Sequence, residues 1–145
     1  MRRRSLLSAV GTATLAGCLG DSEIDGYESG EIEIRIDDEP VDLTEDRYQA
    51  EHAEAYSIDF HFHEFDDRWY MEGERITFAE AVDLIPHFSH DWDDDGHVLT
   101  HDEEVYDSQD PSTEITFIAN GETIDPTTFD ISDGDDLLIK IETNE

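Results

Sequence analysis

Residues 57–85 read Ser-Ile-Asp-Phe-His-Phe-His-Glu-Phe-Asp-Asp-Arg-Trp-Tyr-Met-Glu-Gly-Glu-Arg-Ile-Thr-Phe-Ala-Glu-Ala-Val-Asp-Leu-Ile, and this stretch decides the fold. From Ser57 to Phe65 the residues alternate. Ile58, Phe60 and Phe62 fall on one side, and Asp59, His61 and His63 on the other, the period-two signature of a half-buried strand. Asp66-Asp67 supplies a short turn, and Arg68 to Ile76 returns as the partner strand of a hairpin. The period then changes. Thr77-Phe78-Ala79-Glu80 is a capping box, in which the Thr77 hydroxyl accepts from the Glu80 N–H and the Glu80 carboxylate reaches back to the Thr77 N–H. Phe78, Ala81, Val82 and Ile85 follow at helical spacing. Pro86 ends the helix, because it has no N–H to donate and disfavours helical geometry in the residue before it.

On either side of this unit the chain is strand-rich. Ile32, Ile34 and Ile36 alternate with Glu33 and Arg35, and Asp37 to Pro40 turns that strand toward Val41–Leu43, an N-terminal hairpin. Arg47 to Ala55 reads as a short helix or a loop. After the helix, Asp91 to Gly96 reads as a polar loop, and Val98–Thr100 and Val105–Tyr106 as short strands across a His-Asp-Glu turn. Glu114 to Ala119 is a strand, and Asn120-Gly121 is a strong hairpin signal. Leu137, Ile139 and Ile141 close the chain as a final strand after Asp133-Gly134-Asp135. There is also an internal echo. The pattern Glu31-Ile32-x-Ile34-x-Ile36-x-x-Glu39-x-Val41-Asp42 returns as Glu114-Ile115-x-Phe117-x-Ala119-x-x-Glu122-x-Ile124-Asp125 at one constant offset.

The fold class expected is α+β, a β-rich sheet packed on one short helix. The order strand, strand, helix, then several strands resembles a β-grasp domain, and the closing segment, Asn-Gly-Glu-Thr-Ile-Asp-Pro with Asp-Gly-Asp before the last strand, is similar to the ends of small β-grasp domains. That resemblance implies that the N-terminal hairpin is an addition to the grasp.

The N-terminus carries an address. Arg2, Arg3 and Arg4 precede an apolar run from Leu6 to Ala16, too short to span a bilayer and suited to a signal peptide. Arg3-Arg4-Ser5-Leu6-Leu7 resembles a twin-arginine export signal. Leu15-Ala16-Gly17-Cys18 resembles a lipobox, which implies diacylglycerol on the Cys18 thiol and cleavage just before it. Cys18 is the only cysteine, so no disulfide supports the mature chain. The organisation expected is a signal peptide over 1–17, a lipidated Cys18 with a flexible tether over 18–30, and one globular domain over 31–145. The expected location is the extracytoplasmic face of the cell membrane.

Charge bounds the partners. The chain holds 40 acidic residues against 8 basic ones, a formal charge of -32. Loss of Arg2, Arg3 and Arg4 makes the balance more acidic still. Self-repulsion of this size destabilises a compact state in dilute buffer, whereas in molar salt the screening length falls to about 3 Å. Excess carboxylate with one lysine, Lys140, resembles the proteomes of extreme halophiles, haloarchaea especially. Nucleic acid is excluded as a partner, since there is no basic patch to neutralise phosphate.

Two constellations could carry chemistry. His61 and His63, two apart on a strand, project from one face and could share a Zn or Cu ion, with His87 and His90 just past the helix as further donors. The competing reading is a polar solvent face. Residues 91–102 resemble an EF-hand calcium loop, with Asp91, Asp93 and Asp95 at its first, third and fifth positions, Gly96 at the sixth and Asp102 at the twelfth. The pattern departs from that family at Leu99, at the short Asp102 and in the strand-like residues that follow, and a solvated acidic loop is the competing reading. No Gly-x-Ser-x-Gly elbow or phosphate-binding Gly-rich loop occurs. The function expected is a lipid-anchored, non-enzymatic binding or accessory domain, its ligand a metal ion, a peptide or a neighbouring membrane protein. The alternative is a metal-dependent surface enzyme or metal-binding protein using His61 and His63 or the Asp91–Asp102 stretch.

Overall fold

The structure, a computed structural model, describes residues 26–64 and 66–144. The expected signal peptide, the lipobox-like stretch and Cys18 lie outside the described residues. In chain order the strands are β1 (Glu28–Ile36), β2 (Glu39–Pro40), β3 (His61–Phe62), β4 (Arg68–Met71), β5 (Phe88–Asp93), β6 (Gly96–His101), β7 (Glu104–Asp107), β8 (Thr113–Ala119), β9 (Glu122–Thr123) and β10 (Asp136–Thr143). Helix α1 (Phe78–Leu84) and a 3₁₀ turn at Asp46–Tyr48 complete them. The fold is therefore a strand-rich α+β fold with one short α-helix among the described residues. Among the described residues no helix is long and apolar enough to cross a membrane.

The main sheet runs β9-β8-β10-β1-β4-β3, with β2 also pairing β1. Strand β10 lies parallel to β1 and antiparallel to β8. Its alternation explains that place. Leu137, Ile139 and Ile141 are buried, with Ile139 opposite Ile34 on one side and Phe117 on the other. The N-terminal hairpin forms, turning on Asp37 and Asp38 at φ 52° and 72°. It is no appendage, however, since β1 sits between β10 and β4 at the sheet centre. The strand also starts earlier than its isoleucine alternation indicates, at Glu28, so the end of the expected tether is ordered. A bidentate Arg75–Glu28 pair at 2.7 and 2.8 Å fixes that start.

The internal echo survives in three dimensions. Ile34 O accepts from Val41 N at 2.8 Å, and Phe117 O accepts from Ile124 N at 3.0 Å. The pairs Arg35–Pro40 and Ile36–Glu39 correspond to Ile118–Thr123 and Ala119–Glu122. Asp37-Asp38 corresponds to Asn120-Gly121, and all four residues have positive φ. The two hairpins flank β10 from opposite sides.

The capping box of α1 forms with both of its hydrogen bonds, a feature worth about 1 kcal/mol. The helix buries Phe78, Ala79, Ala81 and Val82, and the Phe78 ring meets Phe117 edge-on at 5.4 Å. Beyond it, β5-β6-β7 form a separate antiparallel meander. The stretch from Asp91 to Asp93 is thus strand rather than loop. The inward-facing Phe88 and His90 anchor β5, and Asp94-Asp95 is the two-residue connection to Gly96.

Candidate metal centre

The β3–β4 hairpin places the site. His61 stands opposite Tyr70 and Phe62 opposite Trp69. Phe62 and Trp69 face the core, so His61 and Tyr70 share the other face. Glu72 follows Tyr70 by two residues and returns to that face, held by its own N–H donating to Ile58 O at 2.8 Å. His61 is nevertheless buried, 2% exposed, beneath the rings of Tyr56, His63 and Tyr70. The expected strand is shorter than its alternation, because Ser57 and Phe60 bridge across a tight turn that leaves Ile58 54% exposed.

Three donor atoms converge here. His61 Nε2 lies 3.1 Å from His63 Nε2 and 2.8 Å from Glu72 Oε2, and His63 Nε2 lies 3.8 Å from the same oxygen. Among the described residues this trio is the cluster whose donor atoms could hold a metal ion. The opposite edges of the two imidazoles define their tautomers. His61 Nδ1 is 3.1 Å from Ser57 O, a carbonyl that can only accept. His63 Nδ1 is 2.7 Å from Glu51 Oε2. Desolvation pushes the Glu51 carboxyl up, but hydrogen bonds from His63, its own backbone and Glu64, together with the charge on His63, outweigh it and hold the group below the usual carboxylate range. Ionised, it too can only accept. Set against these acceptors, both Nδ1 atoms are placed to donate, which leaves both Nε2 atoms facing each other and a carboxylate.

Three donor atoms this close could share one cation. A divalent ion satisfies all three donors at once. Tetrahedral coordination with bonds of about 2.0–2.1 Å places ligand atoms about 3.3 Å apart, in the middle of the distances found here. Tyr70 closes one side, its hydroxyl donating to Asp66; burial, that hydrogen bond and nearby charge push its phenol up to about 12.

The other candidate residues lie elsewhere. His90 donates from Nδ1 to Ala79 O at 3.0 Å, and its Nε2 meets His97 Nδ1 at 3.0 Å beneath Phe117. His87, at φ 70°, sits edge-on to Tyr48 with Nδ1 3.9 Å from Asp102. Neither joins His61 and His63. Residues 91–102 form the β5–β6 hairpin instead of closing on one point. Asp91 and Asp93 lie on β5, Asp95 lies in the turn, and Asp93 Oδ1 caps the N–H groups of Asp95 and Gly96 at 2.8 and 3.1 Å. Asp102 lies beyond the far end of β6, about 20 Å of strand away, where it accepts from Arg47 at 2.8 Å.

Two site residues escape a local reading of the sequence. Glu72 becomes visible only when His61 is placed opposite Tyr70, which makes Glu72 a same-face neighbour. Glu51 has no such signal, since it comes from the irregular loop that precedes the hairpin, twelve residues ahead of His63. No protein-family model matches this chain, and no curated protein or solved structure matches it.

Proposed function

We propose that this chain is a lipid-anchored surface protein of a salt-adapted microbe, and that its domain binds a first-row divalent transition ion of the zinc class through His61, His63 and Glu72. The observation that carries the metal reading is the convergence of two imidazole Nε2 atoms and one carboxylate oxygen within 2.8–3.8 Å, with both Nδ1 atoms committed to acceptors. Carbonyl and carboxylate partners behind ligating histidines are the usual supports of such a site. Imidazole donors favour zinc, copper, nickel or iron over calcium and magnesium. The parallel pairing of first and last strands beside one helix supports a β-grasp-like domain.

The address rests on the basic start, the short apolar run and Leu15-Ala16-Gly17-Cys18. From Cys18 to Glu28 a fully extended chain reaches about 35 Å, which keeps the site close to the membrane surface.

The test is metal analysis of the full chain purified in molar salt, followed by zinc titration of the wild type and a His61→Ala/His63→Ala variant. One tight equivalent that disappears in the variant and is not displaced by magnesium is the expected result. Weak binding of several ions, unchanged in the variant, would assign the metal to surface carboxylates and reject the site. Three protein ligands leave a coordination position open, and this favours a second reading as a metal-dependent hydrolytic enzyme. Zinc-dependent turnover of an ester or phosphoester, lost in the same variant, would select it.

A further inference from the structure

The two histidines are held in their ligating tautomers by unlike means. Behind His61 stands the Ser57 carbonyl, a backbone group that no side-chain substitution alters. Behind His63 stands a side chain, Glu51, and both of its oxygens are engaged. Oε2 accepts from His63 Nδ1 at 2.7 Å, and Oε1 accepts from the backbone N–H of Glu64 at 3.0 Å.

We propose that Glu51 is a positioning residue that keeps the His63 proton on Nδ1 and thereby keeps Nε2 available as a metal ligand. The inference rests on the metal reading of His61, His63 and Glu72 given above. Its logic lies in the Glu64 N–H, which can only donate. Two groups around residue 51 then offer hydrogens to it, and only an acceptor-only carboxylate satisfies both. A glutamine at this position has one acceptor and one donor end. If its oxygen faces the Glu64 N–H, its NH₂ faces His63 Nδ1. That donor pairs only with a bare Nδ1, so the ring proton moves to Nε2, the atom that must bind the metal. If the amide turns over, two N–H groups oppose each other at Glu64. Alanine does neither, because water enters and adopts whichever role each neighbour needs.

An unusual ranking follows. Glutamine, nearest to glutamate in shape, is the more damaging change. Removing an outer partner of a metal-bound histidine costs about 10–100-fold in affinity. Glu51→Ala is expected near the lower end of that range and Glu51→Gln near the upper end, about 100-fold. Glu51→Asp keeps two acceptor oxygens and recovers affinity relative to Glu51→Ala. A residue that merely supported the loop would give the reverse order, with glutamine mildest.

The experiment uses the full chain in molar salt. Zinc affinity is measured by competition with a chromophoric chelator for the wild type and the three variants. In parallel, long-range ¹H–¹⁵N spectra of the metal-free proteins report which His63 nitrogen carries hydrogen. The expected result is Nδ1–H in the wild type, Nε2–H in Glu51→Gln, and affinities in the order wild type, Asp, Ala, Gln. Glu51→Gln binding zinc as tightly as Glu51→Ala or tighter, with hydrogen still on Nδ1, overturns the proposal. If the wild type takes up no zinc, the metal reading falls by itself, and the spectra alone decide whether Glu51 fixes the tautomer.

Discussion

Gly30 is where the hairpin that carries the site locks onto the sheet, and Gly30→Ala tests that joint. Gly30 on β1 lies opposite Trp69 on β4. A Cβ added there would stand 2.3 Å from Asp135 O and 2.6 Å from Trp69 Cζ2. Ordinary contacts between carbon atoms begin near about 3.5 Å. Neither neighbour can retreat freely. Asp135 O accepts from Glu31 N at 3.1 Å and from Trp69 Nε1 at 3.2 Å. Trp69 is fully buried and stacks on Phe60 at 5.7 Å. Relief breaks both hydrogen bonds, at about 1 kcal/mol each, and repacks an overfilled core, at about 1–3 kcal/mol. The total is about 3–5 kcal/mol, a large part of the 5–15 kcal/mol typical of a domain. Urea unfolding in molar potassium chloride, followed by tryptophan fluorescence, measures it directly. Zinc affinity is expected to fall as well, because β4 leads into Glu72. A loss below about 1 kcal/mol would refute the argument, since it would mean that β1 and β4 do not approach closely at Gly30.

Three further outcomes are expected. Burial holds the imidazoles of His90, His97 and His101 below their ordinary range. Below the ordinary histidine value of about 6.5 the unfolded chain therefore binds more protons than the folded one, so their stabilising contribution is complete above that pH and lost as pH falls beneath it. The melting temperature in molar salt is expected to drop between pH 7.5 and 5.5, before most carboxylates titrate, and a flat profile would contradict the burial of these rings. Dialysis to millimolar salt is expected to unfold the domain as screening fails, and a native circular dichroism spectrum retained there would reject the salt-adaptation reading. Cys18→Ala is expected to abolish lipid labelling and release the protein from the membrane fraction, and unchanged membrane retention would reject the anchor.

What could be read in the sequence was local. The capping box at Thr77, the Asn120-Gly121 turn and the Leu137-Ile139-Ile141 alternation are each specified by a few neighbouring residues, and each forms. The β5–β6 hairpin was hidden by composition, because the run Asp91-Trp92-Asp93-Asp94-Asp95 resembles a solvated loop while backbone pairing to Gly96–His101 holds most of it as strand. Two long-range relations could not be read at all. The central place of β1 depends on β10, at the other end of the chain, and on the absence of a side chain at Gly30. Within the site, His61 and His63 were legible from their spacing, whereas Glu72 needed the hairpin register and Glu51 the path of the loop.

The position of the site on the sheet joins these observations. The two matching hairpins flank β10 at the middle of the sheet, while β3, which carries His61 and runs directly into His63, lies at an edge and spans two residues. An exposed edge invites pairing with another chain, and a short, covered one resists it. Here Ala50 N donates to Phe62 O at 2.7 Å, so the loop that brings Glu51 also caps the edge. Phe62 anchors the strand in the core, and the histidine on either side of it turns toward the other face. His63 and Glu72 remain 21% and 42% exposed, open to an arriving ion. A ligand set on an edge strand is reachable, and the same backbone that closes the edge brings up the carboxylate that prepares His63. Capping the edge and holding His63 for the proposed metal site thus fall to one segment, and disruption of residues 49–51 should cost both together.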